Sequence, residues 1–199
     1  MELERVVTSR RMTRNFSDAP VDPTVLDACI DLASRAPSAG KTQGWHLVVL
    51  EGDQCARYWD TAFPVHARGG FAFPGLFTAP VIALVVADPA AYLARYSESD
   101  KVTTGLGAST DAWVAPYWTI DASFATMTLL LALEDAGLGA LFFAHANEPG
   151  LRAQFGLPDH VQVLGTIAIG HPAADQPRKG VSASRPRNGA DVVVHRGNW

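Results

Sequence analysis

The chain has 199 residues, of which 48% are hydrophobic and 18% charged, with a formal net charge of −4. This length suits one domain with its own core, and the composition excludes a disordered chain. The negative balance argues against nucleic acid as a partner, since phosphate binding is driven by basic surface. In chain order, Leu3, Val6 and Val7 have helical spacing, and the helix is expected to run on into Arg10, Arg11, Met12, Thr13 and Arg14. The arginines there admit two readings. They complement the dipole of a solvated helix end, or they bind phosphate through the planar fork of guanidinium donors. Asp22-Pro23 is an N-cap followed by proline at the first helical position. Leu26, Cys29, Ile30 and Ala33 then mark the apolar face of a helix over residues 23–35.

That helix delivers the chain to APSAGKTQGW, residues 36–45. Pro37 disfavours further helix, Gly44 permits a turn, and the small residues Ala36, Ser38, Ala39 and Gly40 leave the backbone approachable. With polar side chains from Ser38, Lys41, Thr42 and Gln43, this corner suits a flat polar ligand, or it is a plain connection. Trp45 to Leu50 reads as a buried strand and Gln54 to Phe63 as a helix. The stretch from Pro64 to Pro80, with Phe71, Phe73 and Phe77, is an apolar loop that covers a site or packs on its own core. Val81 to Ala87 is a central strand, Pro89 to Tyr96 a short helix, and residues 97–111 a mobile polar loop. Trp113, Pro116, Tyr117 and Trp118 either line a pocket for a planar substrate or join the core.

Thr119 to Ala136 is a helix apolar on all sides, which is expected to be central and to pack at a subunit interface, with Gly137 as its stop. Leu141 to Ala144 reads as a short strand, Pro149 to Phe155 as a helix, and Val161 to Ile169 as a strand. The tail from Ala173 is first basic, with Arg178, Lys179, Arg185 and Arg187. It ends in a β-like run, Val192 to Val194, expected to lie across a sheet of another subunit. The elements sum to an α+β fold, with a mixed or antiparallel sheet of four to five strands surrounded by helices. One domain is expected over residues 1–199, with residues 173–199 as an extended arm.

Several chemistries lack their motifs. The sequence contains no GxSxG elbow, no HExxH, no P-loop and no GxGxxG after a strand. Cys29 and Cys55 have neither CxxC nor zinc spacing, so no metal site is expected, and the six histidines are scattered. The start, MELERVVTSRR, lacks the apolar region of a signal peptide, and no apolar run approaches the ~20 residues of a membrane helix. A cytoplasmic protein with no membrane partner is expected. If it is an enzyme, a bound cofactor carries the reaction. The basic clusters at the two ends, Arg10/Arg11/Arg14 and Arg185/Arg187, are candidates to converge on one phosphate.

RRMTRNF, followed by PVDPTVLDACIDLASRAPSAGKTQGWHLVVLE, resembles the nitroreductase family of flavin enzymes. The typical pattern there is RRSxRxF, then P-V and a helix, then APSxxNxQPW and a strand. ALEDAGLGALFF, IAIGHP and the VVVHRGNW ending also fit, so the likeness covers nearly the whole chain. The resemblance implies an intertwined homodimer with FMN at the interface and NAD(P)H as electron donor. It implies that Arg10, Arg11 and Arg14, joined by Arg185 or Arg187, hold the phosphate and ribityl chain, with Met12 also at the cofactor site but one polar contact short. Pro37, Ser38 and Ala39 would come from the other subunit, with Gln43 nearby and Lys41 also at the flavin. Leu141, Phe142, Phe143 and Ala144 would pass along the ring near its reactive nitrogen. The flavin itself carries the chemistry, with no dedicated protein acid or base, by ping-pong reduction of a nitroaromatic, quinone or similar small-molecule acceptor. Two other outcomes stay open: a storage or regulatory flavin protein, or divergent chemistry such as flavin fragmentation, dehalogenation or azoline oxidation. Three positions depart from the pattern: Met12 for serine, Lys41 for asparagine and Gly44 for proline.

Overall fold

The computed structural model describes residues 2–175 and 184–199. Four strands, β1 (Trp45–Glu51), β2 (Val81–Ala87), β3 (Gly139–Phe143) and β4 (Gln162–Gly170), form one sheet in the order β1-β2-β4-β3. Every strand pair is antiparallel. The one parallel contact among the described residues is an isolated bridge from Met12 to Ala140 on the outer edge of β3. It covers part of an edge that would otherwise present unpaired backbone groups.

Helices lie on both faces. Ile82, Leu84 and Val86 of β2 point into a cluster with Tyr58, Trp59 and Leu151 from α3 (Asp53–Ala62) and α6 (Glu148–Phe155). Val81, Ala83 and Val85 point the other way, toward α2 (Pro23–Ala33) and α5 (Tyr117–Asp135). A strand covered on both faces must be apolar at every position, which is why VIALVVA shows no alternation. Trp45 to Glu51 is a strand as expected, but at the sheet edge and only half-buried, with Leu50 alone fully buried. Both cysteines are buried and free.

Three expectations are corrected. The first helix, α1 (Leu3–Ser9), stops before the arginines. The Arg11 guanidinium folds back on the carbonyls of Thr8, Ser9 and Arg10 (2.6–2.9 Å), while the Thr13 amide donates to the Ala140 carbonyl at 2.9 Å. Those bonds draw the segment out of the helix and along β3. Second, the helix α5 is central but not buried all round within one chain, where the apolar Phe124 and Met127 remain 49% and 42% exposed. Third, the β-like run near the end is a single helical turn, α7 (Ala190–Val193), exposed throughout. Arg178 and Lys179 lie outside the described residues.

The Pro64–Pro80 stretch packs on its own core. Phe63, Phe71 and Phe77 contact one another, and Phe77 sits edge-on to Trp59 at 4.9 Å. Residues 97–111 form a run of short turns rather than an open loop, tied down by Arg95, from α4 (Pro89–Tyr96), to both oxygens of Asp100 at 2.7 and 2.8 Å. No described helix is long and apolar enough to cross a membrane.

Candidate functional site

The arginine segment is held by the close approach of Thr13 to β3. A Cβ at Gly139 would meet Thr13 Oγ1 at 2.6 Å, so only glycine lets the two backbones come this near. The segment then runs on beside the chain that leaves β4. Ser17 N–H donates to the His171 carbonyl, Ala173 N–H to the Asn15 carbonyl, and the Asn15 amide to Asp175. The C-terminal arm therefore departs from the side of Arg14.

Within the segment the arginines do different things. Arg11 caps α1 as described, and Arg14 bonds the Met12 carbonyl at 3.1 Å with its guanidinium 5.2 Å from the Phe73 ring centre. Arg10 is the exception: Nε and Nη1 are buried and make no hydrogen bond among the described residues. Burying donors of a charged group without partners costs about 1–3 kcal/mol or more, so this guanidinium is suited to an anion. Leu141, Phe142 and Phe143 sit on the strand that the segment pairs with, and Ala144 follows directly after its end. Arg185 and Arg187 are exposed, and no ion pair or hydrogen bond among the described residues joins them to Arg10, Arg11 or Arg14.

The corner at residues 36–43 lies at the other edge of the sheet, before β1. Three inter-strand steps of about 4.8 Å separate the two edges, roughly 14 Å before any offset along the strands. One chain thus does not bring its arginine segment and its corner together. The corner itself is tightly bound. Ala39 N–H donates to Asp121 Oδ2 at 2.8 Å, Tyr92 Oη–H donates to the same oxygen at 2.7 Å, and Arg95 Nε donates to the Gly40 carbonyl at 2.9 Å. Ser38 Oγ accepts from Gln43 N–H at 3.0 Å, and Thr42 Oγ1 donates to the Ala39 carbonyl at 2.6 Å. Burial first, and then the bond to Asp121, push the Tyr92 phenol above its ordinary range, so it stays a donor.

These bonds hold an unusual backbone. Gly40, Lys41 and Gln43 have φ of 62°, 56° and 57°. For lysine and glutamine the left-handed region costs about 1 kcal/mol each. Gly44, where the family pattern has proline, lies under Tyr92, and a Cβ there would meet its ring at 2.7 Å. The outer side of the corner opens into a cleft of about 600 Å³ lined by Asp31, Ser34, Arg35, Ala36, Pro37, Ser38, Lys41 and Gln43. Trp113 is buried among Tyr92, Tyr96, Tyr117 and Trp118 and buttresses this region from below.

A model of the Nitroreductase family matches residues 7–171. The chain belongs to the nitroreductase family. It is 26% identical over 193 residues to an NADH dehydrogenase of Thermus thermophilus, covering 88% of this chain and 89% of that protein. It is 28% identical over 193 residues to iodotyrosine deiodinase 1 of Rattus norvegicus, covering 86% of this chain and 62% of that one. The fold matches the crystal structure of a mutant of NfnB, an FMN- and NADPH-dependent nitroreductase from a Sphingopyxis strain. That match has a TM-score of 0.71 at 21% identity, with all of both chains covered. The sheet and its flanking helices thus have the nitroreductase architecture that the sequence pattern implied.

Two features were missed from sequence. Asp121 is the lone acid inside the apolar run YWTIDASFATMTLLLAL, and that isolation was the available signal. It is 7% exposed and organises the corner. His145, beyond the end of β3, is bound through Nε2 to Glu148 at 2.8 Å, while its Nδ1 is buried with no partner among the described residues. His145 first, and then Arg152, hold the Glu148 carboxyl below its ordinary value.

Proposed function

We propose that the protein is an FMN-dependent oxidoreductase, using NAD(P)H as donor and a nitroaromatic, quinone or similar small molecule as acceptor in a ping-pong reaction. The observation that carries this reading is the buried, unpartnered guanidinium edge of Arg10, set beside β3 in a member of this family. It fits an anionic, hydrogen-bond-accepting cofactor. Arg10, Arg11, Met12 and Arg14 would hold the phosphate and ribityl chain, with Arg185 or Arg187 from the arm. Leu141, Phe142, Phe143 and Ala144 would lie along the ring. Pro37, Ser38, Ala39, Lys41 and Gln43 of a second copy would close the other side.

When bound, FMN supplies the redox chemistry, for a nitroaromatic ArNO₂ + NAD(P)H + H⁺ → ArNO + NAD(P)⁺ + H₂O. The chain's own residues bind and orient: the guanidinium groups pair with the phosphate, and the clamped corner presents its polar groups without rearrangement. The apolar side chains exposed on α1 and α5, Leu3, Val7, Phe124 and Met127, support the homodimer this arrangement needs, since α1 and α5 pack side by side. A second reading keeps every assignment but changes the acceptor to a halogenated aromatic. The likeness to iodotyrosine deiodinases favours it.

The test is the visible absorption spectrum of the purified protein, acid release of the chromophore, and anaerobic mixing with NADH and NADPH. Bound FMN that either nucleotide bleaches, in a particle of twice the chain mass by ultracentrifugation, is the expected result. A colourless monomer that takes up no added FMN overturns the reading.

A further inference from the structure

His145 carries an imidazole nitrogen that the described residues leave unanswered. Its Nε2 lies 2.8 Å from Glu148 Oε2, and Arg152 donates to the other oxygen of that carboxylate, from Nε at 2.9 Å and Nη2 at 2.7 Å. The same guanidinium donates to the Pro158 and Val161 carbonyls at 2.8 Å each, so the carboxylate is fixed from behind. With its pKa lowered by His145 and Arg152, Glu148 is ionised at neutral pH and can only accept. Nε2 must therefore carry a hydrogen. The neutral ring then has its lone pair on Nδ1, and the imidazolium has its second N–H there.

Nδ1 is buried and makes no hydrogen bond among the described residues. A carboxylate that fixes the tautomer from one side and leaves the other nitrogen free is the arrangement a proton-transferring histidine requires. A histidine kept only for packing has both nitrogens answered or wet. The place of this one also matters. Among the described residues, five buried side-chain atoms lack a partner, and three of them belong to Arg10 and His145. Arg10 precedes the bridge from Met12 to Ala140 at the start of β3, and His145 follows the end of β3 at Phe143. A cofactor with its phosphate on Arg10 that runs along this strand brings its ring to the His145 end.

We propose that His145 is a proton-transferring catalytic residue of the flavin site, with Glu148 and Arg152 as positioning residues. This inference rests on the flavin-oxidoreductase reading above, and it departs from the expectation of no dedicated protein acid. Taking a nitro group to nitroso needs two electrons and two protons. The hydride from NAD(P)H brings both electrons and one proton. The second proton passes from Nδ1–H of the imidazolium to a nitro oxygen as the N–O bond breaks and water leaves. Solvent then reprotonates the neutral imidazole.

The first measurement is imidazole nitrogen NMR of the wild-type protein, with His145 assigned through its own backbone. Without FMN, the ring is expected to be the Nε2–H tautomer with a free Nδ1. Added FMN should move the Nδ1 signal toward that of a hydrogen-bonded nitrogen. The second measurement compares benzoquinone, which takes up a proton with its electrons, with ferricyanide, which takes electrons alone. His145→Gln should lower the quinone-to-ferricyanide ratio of kcat/KM about a hundredfold. Glu148→Gln should lower it several-fold and, because an amide can also donate to Nε2, mix the two tautomers in the NMR spectrum. An Nδ1 signal that FMN does not move overturns the proposal, because a buried water then answers that nitrogen. So does a His145→Gln variant that slows both acceptors alike, because the histidine then only holds the turn before α6. Bleaching of bound FMN by NAD(P)H in the wild type tests the underlying reading separately. A protein that binds no FMN sinks that reading and this inference together.

Discussion

The arginine segment and the helix-to-strand corner are both short, polar and non-helical, yet they are finished to different degrees. At the corner, Ala39 N–H, the Gly40 carbonyl, the Tyr92 hydroxyl and the Asp121 carboxylate are all paired within the chain. In the arginine segment the backbone is paired to β3, while Arg10 Nε and Nη1 are buried and unanswered among the described residues. A region that satisfies itself is preorganised scaffold. A region that buries an unpaired charge is completed by something the chain does not contain. The two regions also occupy opposite edges of the sheet, as the proposed pairing with a second copy requires.

The sharpest way to break the contrast is at Arg10. Arg10→Met should weaken FMN binding by about 2–4 kcal/mol, roughly thirty- to a thousandfold, since it truncates a buried charge pair. The same change should leave the flavin-free protein as stable or more stable, because an unpaired buried charge has gone. Fluorescence titration with FMN and urea unfolding of the apoprotein measure the two signs. A loss of apoprotein stability would mean that Arg10 is already satisfied by the chain.

At the corner the expectation reverses, with stability falling before any ligand is added. Asp121→Leu strands the Tyr92 hydroxyl and the Ala39 amide and should cost about 2–4 kcal/mol in urea unfolding. Tyr92→Phe should cost about 1–2 kcal/mol, and a double-mutant cycle should show the two effects to be strongly non-additive.

The docking of the arginine segment on β3 is tested by Gly139→Ala, which should cost about 1–3 kcal/mol because its Cβ collides with the Thr13 side chain. Thr13→Ala, which removes Oγ1 and Cγ2 but keeps the Cβ at 2.9 Å, should recover part of that loss in the double variant, judged by thermal unfolding and by FMN affinity. Failure of the rescue would place the clash elsewhere.

The smallest effect belongs to Glu148. Its carboxyl is held low by His145 and Arg152, so it contributes stability above its ordinary value of 4.5, which is lost as pH falls through the lower folded-state value. Glu148→Gln should therefore flatten the acid limb of the stability–pH curve below about pH 5 and leave the slope between pH 7 and 8 as it was. The group is partly exposed and screened by solvent, so the change should be just measurable.

Much of this molecule could be read from residue order. Local propensity and hydrophobic period decide elements such as α2, with its Asp22 cap and Pro23, and β2, apolar at every position. The left-handed stop, the proline starts and the small-residue corner were visible for the same reason, since each is a property of a few adjacent residues. The family pattern carried the site residues only as expectations, because a motif names side chains without saying what they touch. Tertiary structure alone decided the rest. Arg10 to Arg14 leave the helix because Ala140, far along the chain, offers a better partner for Thr13 than the next helical turn does. Asp121 becomes the anchor of the corner because packing removes it from water and leaves it two donors as company. Lys41 and Arg35 meet on one cleft because the corner turns back on the end of α2. In each case the deciding energy is desolvation of a polar group, and that depends on which distant element covers it.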